Sequence, residues 1–494
     1  MRAKRAKAKS IIVVLLAVMN FASCSNTSAQ KSVKGNEEVV VAEQVSTKAG
    51  TVSEHSANSE SNSELVQTII ENSNHTVCVY TEIKAFDSYL APLPIVRAKP
   101  HSLTPDECRR FAEALIGNVQ FYETSIEPIM SRSIAEQKAK DWELLNTPET
   151  ITDIFGKDRL NQVKVAIQQR IDTLNETDLL ETNNVTRRLC QWEFNAESSY
   201  APEGLKPISD DGNKTIMAYV EKDQMSYRLW CTSRDEKDYK VQTISLYPNT
   251  EYTSPFDIET LHMIRTVCGS KKPTSLDVEK AKEKSQNIIN SAGIGNWSIV
   301  DTNVEIYKYW KNSECPAYVI IVTAVPNYSG INILHCSQLD SIKGKGTPNY
   351  YYSELTLTFS SSGEIIEALL TSPLDYISEI ESDIGVIEPL QAVEILADYL
   401  SEAKPALFDS LLGNQNGCTV EARIDNAVMG LARVRADGSK SEYDLIPAIQ
   451  FTGDFTVFLD GEPQYSYEEL CGEKYEFAVV SITDGSIINT RRGY

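Results

Sequence analysis

Positive charge is scarce in this 494-residue chain, which has 47 lysines and arginines against 69 aspartates and glutamates and a formal net charge of −22. An acidic field of this size repels the phosphates of nucleic acids and anionic lipid head groups, so we expect neither as a direct partner. Histidine is also rare, with five residues, and no two of them have the spacing of a metal site. The composition therefore predicts no bound metal.

Catalytic motifs are missing as well. The chain has no Gly-x-Ser-x-Gly elbow, no His-Glu-x-x-His helix and no phosphate-binding loop. Ser401-Glu402-Ala403-Lys404 matches the Ser-x-x-Lys of penicillin-binding enzymes, but it lies at the end of a predicted helix and no Lys-Thr-Gly follows. We therefore predict a protein that is not an enzyme and that carries no cofactor.

Apolar runs of membrane-spanning length are absent, since the longest candidate, Ile11 to Met19, is well short of the roughly 20 residues that a spanning helix needs. Five basic residues precede this run, and Phe21-Ala22-Ser23-Cys24 follows it. The ending resembles the lipobox of bacterial lipoproteins, with Phe21 where Leu is usual. The resemblance implies a signal peptide over residues 1–23 and a lipid on Cys24. An ordinary secretory signal with an incidental cysteine is the alternative.

A lipid on Cys24 would hold the mature chain on the extracellular face of the cell membrane. Loss of the five basic signal residues would change the net charge from −22 to −27. Residues 24–63 are rich in Ser, Asn, Thr, Glu and Gln, and they contain almost no aromatic residue. Such a composition predicts a disordered tether, with a mean reach on the order of 35 Å for a flexible coil of this length.

Nine cysteines follow Cys24, and none of them forms a Cys-x-x-Cys motif. The odd number leaves at least one thiol unpaired if the others form disulfides. Strand positions allow three pairs, which are Cys190 with Cys231, Cys315 with Cys336, and Cys418 with Cys471. Free buried thiols are an equal alternative.

Apolar periodicity and turn residues predict an α+β fold, in which helices pack on antiparallel sheets. The clearest helix follows Thr104, where Pro105 and Glu107 complete a capping box, and it ends at Gly117. Further helices are predicted over residues 131–145, 158–174, 276–291 and 388–403. Strands are predicted over residues 75–83, 189–194, 215–221, 225–232, 241–247, 297–310, 317–325, 355–359, 364–369, 419–436, 444–451 and 475–482.

The order of these elements divides the folded part into three predicted regions. An N-terminal α+β domain covers residues 64–255. A second unit, one helix followed by an antiparallel sheet, covers residues 270–380, and a C-terminal unit with the same order covers residues 381–494. The last two regions suggest a loose repeat of architecture without sequence similarity.

The C-terminal region resembles PepSY-like domains and the extracellular regulators of cell-wall sensor kinases. The resemblance is carried by Leu445-Ile446-Pro447-Ala448, by residues 475–483 and by the Asp484-Gly485 turn. It implies that the Pro447 strand pairs with the strand before the Asp-Gly turn. From its own chemistry, Pro447 suits an edge or a bulge, and Asp484-Gly485 suits a tight turn with positive φ.

A wider resemblance covers most of the chain, to lipoproteins of anaerobic Gram-positive Clostridia. It is carried by Leu90-Ala91-Pro92, Tyr200-Ala201-Pro202-Glu203, Ser372-Pro373 and Gly430-Leu431-Ala432-Arg433-Val434. Ile449 departs from that pattern, because Trp is common at this position. The resemblance implies no particular activity.

Aromatic residues supply the candidate ligand site. Flat rings could line a sugar or peptide groove, and the rings considered for it are Trp297, Trp310, Tyr350, Tyr351 and Tyr352. Ordinary packing between strands explains the same residues. The leading hypothesis is a surface lipoprotein that binds or regulates another envelope protein. The alternatives are a binding lipoprotein for a peptide or glycan and an unrecognised hydrolase.

Overall fold

The structure is a computed structural model, and the residues that it describes leave out the predicted signal peptide, Cys24 and the predicted tether. The described ranges are 66–71, 75–81, 93–124, 134–155, 157, 160–177, 187–196, 214–222, 225–236, 239–248, 267–268, 271–307, 317–335, 352–381, 387–403, 418–439, 442–459, 461–468 and 474–490. All of them belong to one unit of the chain, Ser63–Asp340 together with Pro348–Tyr494.

Helices begin where capping residues precede apolar periodicity. The capping box predicted at Thr104 is confirmed, because the Glu107 carboxylate accepts from the Thr104 backbone N–H at 2.8 Å while the Thr104 hydroxyl oxygen accepts from the Glu107 N–H. Thr274 and Asp277 form a second box of the same kind. The helices are α1 Pro105–Ile116, α2 Ile134–Leu145, α3 Pro148–Phe155, α4 Leu160–Thr177, α5 Ser275–Ala292 and α6 Pro389–Ala403.

Strands make up more of the structure than helices do. In chain order they are β1 Val66–Glu71, β2 His75–Thr81, β3 Ile95–Pro100, β4 Tyr122–Thr124, β5 Arg187–Leu189, β6 Asn195–Ala196, β7 Lys214–Lys222, β8 Met225–Glu236, β9 Tyr239–Pro248, β10 Trp297–Ile306, β11 Tyr318–Tyr328, β12 Ile331–Asn332, β13 Glu354–Ser360, β14 Ile365–Thr371, β15 Leu374–Glu381, β16 Cys418–Arg435, β17 Tyr443–Leu459, β18 Glu462–Ser466, β19 Tyr475–Ser481 and β20 Ile487–Ile488.

The strands form two sheets. Sheet A has the order β1-β2-β16-β17-β19-β20, with β3 joined to β17 and β15 joined to β3. Sheet B has the order β10-β11-β13-β14-β9-β8-β7-β4-β5. Among the described strands, pairing is antiparallel apart from the parallel pair β2 and β16 and one isolated parallel bridge. Helices with two largely antiparallel sheets confirm the predicted α+β class in its coarse form, mostly β with some helices.

Strands from distant parts of the sequence share each sheet. Strand β14 of the predicted second unit pairs with β9 of the predicted first domain in sheet B. In sheet A, β3 pairs with β15 and also with β17. The division into the regions 64–255, 270–380 and 381–494 stays a prediction.

Sheet B has one large hydrophobic core, whereas sheet A is covered on both faces, because neighbouring residues such as Val479 and Val480 of β19 are both buried and belong to different clusters. One face of sheet B packs against α1 to α5, with Phe111 of α1 and Phe359 of β13 fully buried. In sheet A, Leu396 of α6 packs with Phe451 of β17. Each fully buried ring of this kind contributes roughly 1.5–3 kcal/mol through the apolar area that it removes from water.

Two local predictions need correction. The strand predicted over residues 189–194 is wrong for most of its length, because Trp192 adopts a φ of 52° and its ring packs edge-on against Phe121, so that regular pairing breaks. Pro447 lies inside β17 rather than at an edge or bulge. Proline has no backbone N–H to donate to a neighbouring strand. The sheet tolerates it here because the partner on that side of β17 changes at this point, from β3 at Leu445 to β19 at Ala448.

Within the described ranges, no helix combines the length and the apolar character that crossing a membrane requires.

Candidate functional site

The predicted aromatic groove is described only in part. Outside the described residues lie Trp310, Tyr350 and Tyr351. Trp297 is 5% exposed, and its indole N–H donates to the Ile294 carbonyl at 3.2 Å. Tyr352 is 6% exposed, and its hydroxyl donates to the Thr490 carbonyl at 2.8 Å. Both described rings therefore pack inside the protein, and a groove formed by all five stays a prediction.

Tyr352 belongs to a group of polar side chains where the two sheets meet. His335, which follows β12, contacts the carboxylate of Glu354 at the start of β13 through Nε2. The Thr356 hydroxyl donates to the other oxygen of that carboxylate at 2.6 Å. Burial alone would raise the pKa of Glu354, but the hydrogen bond and charge of His335, with the Thr356 hydroxyl, lower it below its ordinary value. Glu354 is therefore held in its charged form.

Gln450 of β17 joins this pair to sheet A. Its side-chain amide donates to the His335 carbonyl at 2.7 Å and also to Glu476 Oε2. The second oxygen of Glu476 accepts from the Thr490 hydroxyl. Glu476 is 6% exposed, so these donors take the place of water around its carboxylate oxygens.

Arg433 of β16 lies beside the same group and is 2% exposed. Its guanidinium carbon is 4.6 Å from the centre of the Tyr352 ring and 4.8 Å from that of Tyr443. Stacking between two rings suits a planar, weakly hydrated cation. We call these residues the sheet junction: His335, Tyr352, Glu354, Arg433, Gln450, Glu476 and Thr490. Hydrogen bonds and a cation stacked on aromatic rings join its members across the two sheets. Its geometry suits a structural role, in which it holds the sheets together.

A different surface is placed for contact with another molecule. Within the described strands, β15 pairs with β3 alone and is therefore an edge of sheet A. Its register along β3 shifts at two places, which leaves Ile377 and then Ile380 as the extra residue of a β-bulge. Bulges redirect side chains, and these two are 46% and 49% exposed. We call residues Ile377 to Ile380 the β15 edge.

The first half of β15 is fixed to the body of the protein. His101 Nδ1 is 2.7 Å from Asp375 Oδ1, and its Nε2 is 3.1 Å from the carboxylate of Glu107 in α1. Burial would lower the pKa of His101, but hydrogen bonds and charges from both carboxylates raise it above its ordinary value. The ring is thus stabilised as a cation between them, and it ties β15 to α1.

Tyrosines fix the next part of the strand. The Tyr376 hydroxyl donates to the Asn327 carbonyl at 2.8 Å, and its ring packs edge-on against Tyr328 with centroids 5.0 Å apart. Burial raises the pKa of Tyr376. Tyr328 in turn hydrogen-bonds to Glu379, and its pKa is raised by burial and by that carboxylate. The β15 edge is therefore exposed but held in place, which lowers the entropy cost of binding.

Chemically, the β15 edge offers strand backbone, two apolar side chains and one carboxylate, that of Glu379. An extended segment can add to such an edge through main-chain hydrogen bonds, with side chains supplying specificity. Sequence reasoning missed β15. Its sequence, Leu-Asp-Tyr-Ile-Ser-Glu-Ile-Glu after Pro373, has only three strand formers, and the bulges interrupt the alternation that would have revealed the strand.

Comparisons with known proteins give little further information. No protein-family model matches the chain. No curated protein matches it either. A crystal structure of an uncharacterized protein from Eubacterium rectale aligns over 86% of this chain and 93% of its own, with 11% identity and a TM-score of 0.35. A likeness at that TM-score supports no conclusion about fold or function.

Proposed function

We propose that this chain is a lipid-anchored, non-enzymatic protein on the extracellular face of the membrane, where it binds or regulates another envelope protein. Cys24 carries the lipid, and residues 24–63 form a disordered tether. Beyond the tether, successive units of helices packed on antiparallel sheets present the binding surface. The pairing of β17 with β19 before the Asp484-Gly485 turn supports a PepSY-like C-terminal unit.

The β15 edge is the observation that supports this proposal most directly. Unprotected strand edges invite pairing with other chains, and proteins usually cover or charge them. Here the two bulges expose isoleucines at the edge, in a strand that His101 and Tyr328 hold in place. Exposed apolar side chains on a fixed strand fit recognition of a protein segment.

Charge indicates the chemistry of that segment. Glu379 lies within the β15 edge, in a chain whose net charge is −22. Complementary charge speeds encounter and disfavours wrong partners. The partner is therefore an extended envelope-protein segment with apolar and basic side chains. Binding of a peptide or glycan in an aromatic groove stays the alternative prediction.

Lipidation can be tested by itself. In a Gram-positive host fed a clickable palmitate analogue, the full-length protein is expected to incorporate label and to fractionate with the membrane. The Cys24→Ser variant is expected to incorporate none, because the thiol that takes the diacylglycerol is gone. An unlabelled wild-type protein that keeps Met1 would refute the anchor.

Partner binding is tested with a photocrosslinking residue placed at position 377 or 380 of the full-length protein. Both positions are expected to crosslink to the same envelope protein. The matched control is position 276, since Leu276 on α5 is 62% exposed but belongs to no strand edge. Crosslinking there is expected to give no such product.

A double variant then measures the contribution of the isoleucines. Ile377→Asp with Ile380→Asp is expected to weaken binding of the identified partner at least about 100-fold, since each substitution removes apolar contact and places a carboxylate where it must lose water on binding, together worth about 1.4 kcal/mol or more. Binding is measured by biolayer interferometry on immobilised full-length protein. Unchanged affinity, or equal crosslinking at all three positions, would disprove a role for the β15 edge.

A further inference from the structure

His101 links the β15 strand to α1 through two charged contacts. It follows β3, and its backbone N–H donates to the Pro373 carbonyl at 2.8 Å, next to the start of β15. Its ring lies between two carboxylates, with Nδ1 2.7 Å from Asp375 Oδ1 and Nε2 3.1 Å from Glu107 Oε2. Asp375 is the second residue of β15 and comes shortly before Ile377. The state of this ring therefore acts directly on the strand that carries the β15 edge.

The protonated ring satisfies both contacts, and the neutral ring satisfies one. An ionised carboxylate accepts hydrogen bonds and donates none, so each ring nitrogen needs a proton to face one. The neutral ring carries a single proton, and its other nitrogen would turn a lone pair toward a carboxylate. Hydrogen bonds between charged partners are the stronger kind. Loss of the second proton from His101 therefore breaks one strong contact.

The contact with Asp375 is the one that breaks. Glu107 is fixed from other sides, because its Oε2 atom accepts from the backbone N–H and from the hydroxyl of Thr104, each at 2.8 Å. Arg110 lies 4.0 Å from its other oxygen. The Asp375 side chain is 42% exposed, so water can take the place of the His101 ring there. Deprotonation therefore releases β15 and leaves His101 bound to α1.

Cations near the two carboxylates do not remove this pH dependence. Lys99 of β3 is directly opposite Asp375 in the strand pairing, and Arg110 of α1 lies beside Glu107. Burial would lower the pKa of His101, but the hydrogen bonds and charges of both carboxylates raise it above its ordinary value of 6.5. A raised pKa in the folded protein means that the contact stabilises fully below the ordinary value. Its contribution is lost as the pH rises through the raised pKa.

We propose that His101 is a pH-dependent switch that regulates binding at the β15 edge. When the ring is protonated, it holds β15 against α1, and the edge is ordered for an added strand. When the ring is neutral, Asp375 is released, and Tyr376 is left as the neighbouring contact that holds this part of β15. A bound segment must then order the strand again, which weakens its binding. The proposal rests on the proposed function, since it concerns regulation of that same site.

Hydrogen exchange of the full-length protein tests the switch without a partner. Mass spectrometry follows the peptide that covers β15 at about pH 6 and about pH 8.5, after correction for the intrinsic pH dependence of amide exchange. Opening of β15 is expected to increase at least about fivefold at the higher pH, since one charge-assisted hydrogen bond is lost. The matched control is the peptide that covers β14, which pairs with β13 and β9 and is expected to change less than about twofold.

Two variants are expected to remove the pH dependence in opposite directions. Asp375→Asn provides an amide that donates to the unprotonated Nδ1 atom or accepts from the protonated one, so β15 is expected to stay protected at both pH values. His101→Gln cannot replace both ring nitrogens between the two carboxylates, so β15 is expected to open at both. Asp437→Asn removes an exposed carboxylate in the turn between β16 and β17 and is expected to behave like the unaltered protein.

Regulation of binding is tested with the photocrosslinking residue at position 377. The yield of crosslinked envelope protein is expected to fall at least about threefold from about pH 6 to about pH 8.5, because the edge is less ordered at the higher pH. With Asp375→Asn in the same chain, the yield is expected to change less than about 1.5-fold, since the contact with His101 then persists.

Two results would overturn the proposal. One is exchange of β15 that does not depend on pH or that depends on it equally in Asp375→Asn. The other is a crosslinking yield that stays constant while exchange of β15 changes. Failure of the proposed function gives a different result, in which exchange follows the pH as expected but neither position 377 nor position 380 crosslinks to a protein. That result refutes binding at the edge, and its regulation with it, but not the effect of His101 on the strand.

Discussion

Replacing Gly453 by alanine is expected to lower the free energy of unfolding by at least about 3 kcal/mol, at the upper end of what overpacking of a core costs. Gly453 lies in β17, opposite the bulge where β16 shifts its register after Ile424. A Cβ atom at this position would be 1.9 Å from the Arg423 carbonyl oxygen. The obstacle is backbone in the centre of sheet A, which cannot rotate away. Urea unfolding followed by circular dichroism measures the loss.

The matched control is Gly438→Ala in the turn between β16 and β17. Gly438 has a φ of +73°, and no atom lies within 4 Å of an added Cβ. The expected loss in the free energy of unfolding there comes only from placing alanine in the left-handed backbone conformation, and it is about 1–2 kcal/mol. If Gly453→Ala lowers the free energy of unfolding no more than Gly438→Ala does, then the β16 backbone does not approach Gly453 this closely.

Local signals in the sequence predicted the regular elements well. The capping box at Thr104 and the apolar face that follows it predicted the bounds of α1 almost to the residue. Both ends of that helix depend on neighbours within one turn. Strands β7 to β9 were predicted for a similar reason, since each is a short run rich in apolar or strand-forming residues and short polar turns join them. The coarse fold class follows from elements of this kind.

The arrangement of the sheets could not be predicted in the same way. Strand β3 is short, follows Pro94 and ends at Pro100, and its partners are 274 residues away or more along the chain. Its pairing depends on tertiary contacts, such as those of Arg97 with Asp444 and of His101 with Asp375, that leave no local pattern. Both β3 and β15 were therefore missed.

The candidate site was missed with them. The β15 edge exists because two bulges expose Ile377 and Ile380, and bulges depend on the register with the partner strand. Among the residues that sequence reasoning did single out, Tyr352 has a role of another kind, since the structure places it in the sheet junction. Its aromatic ring was a correct sign that the residue makes important contacts. The neighbouring sequence, however, could not show that Arg433 would stack on that ring.

The sheet junction leads to the second large effect. Arg433→Met is expected to lower the free energy of unfolding by about 3 kcal/mol, since a desolvated cation over an aromatic ring contributes up to about 2 kcal/mol and Arg433 contacts two rings. Methionine keeps most of the side-chain length and apolar volume, so the loss reports the guanidinium and not a cavity. Tyr352 and Tyr443 would then pack against an uncharged group. Urea unfolding of the full chain measures the change.

Two further variants separate charge from shape at this position. Arg433→Lys keeps the charge but loses the planar group that stacks between the rings, and it is expected to recover less than half of the loss. Arg435→Met, two residues along β16, changes an exposed arginine and is expected to cost no more than about 0.5 kcal/mol. Tyr352 precedes β13 of sheet B and Tyr443 begins β17 of sheet A, so the stacked cation links the two sheets. If Arg433→Met and Arg435→Met have the same free energy of unfolding, this cation does not hold the sheets together.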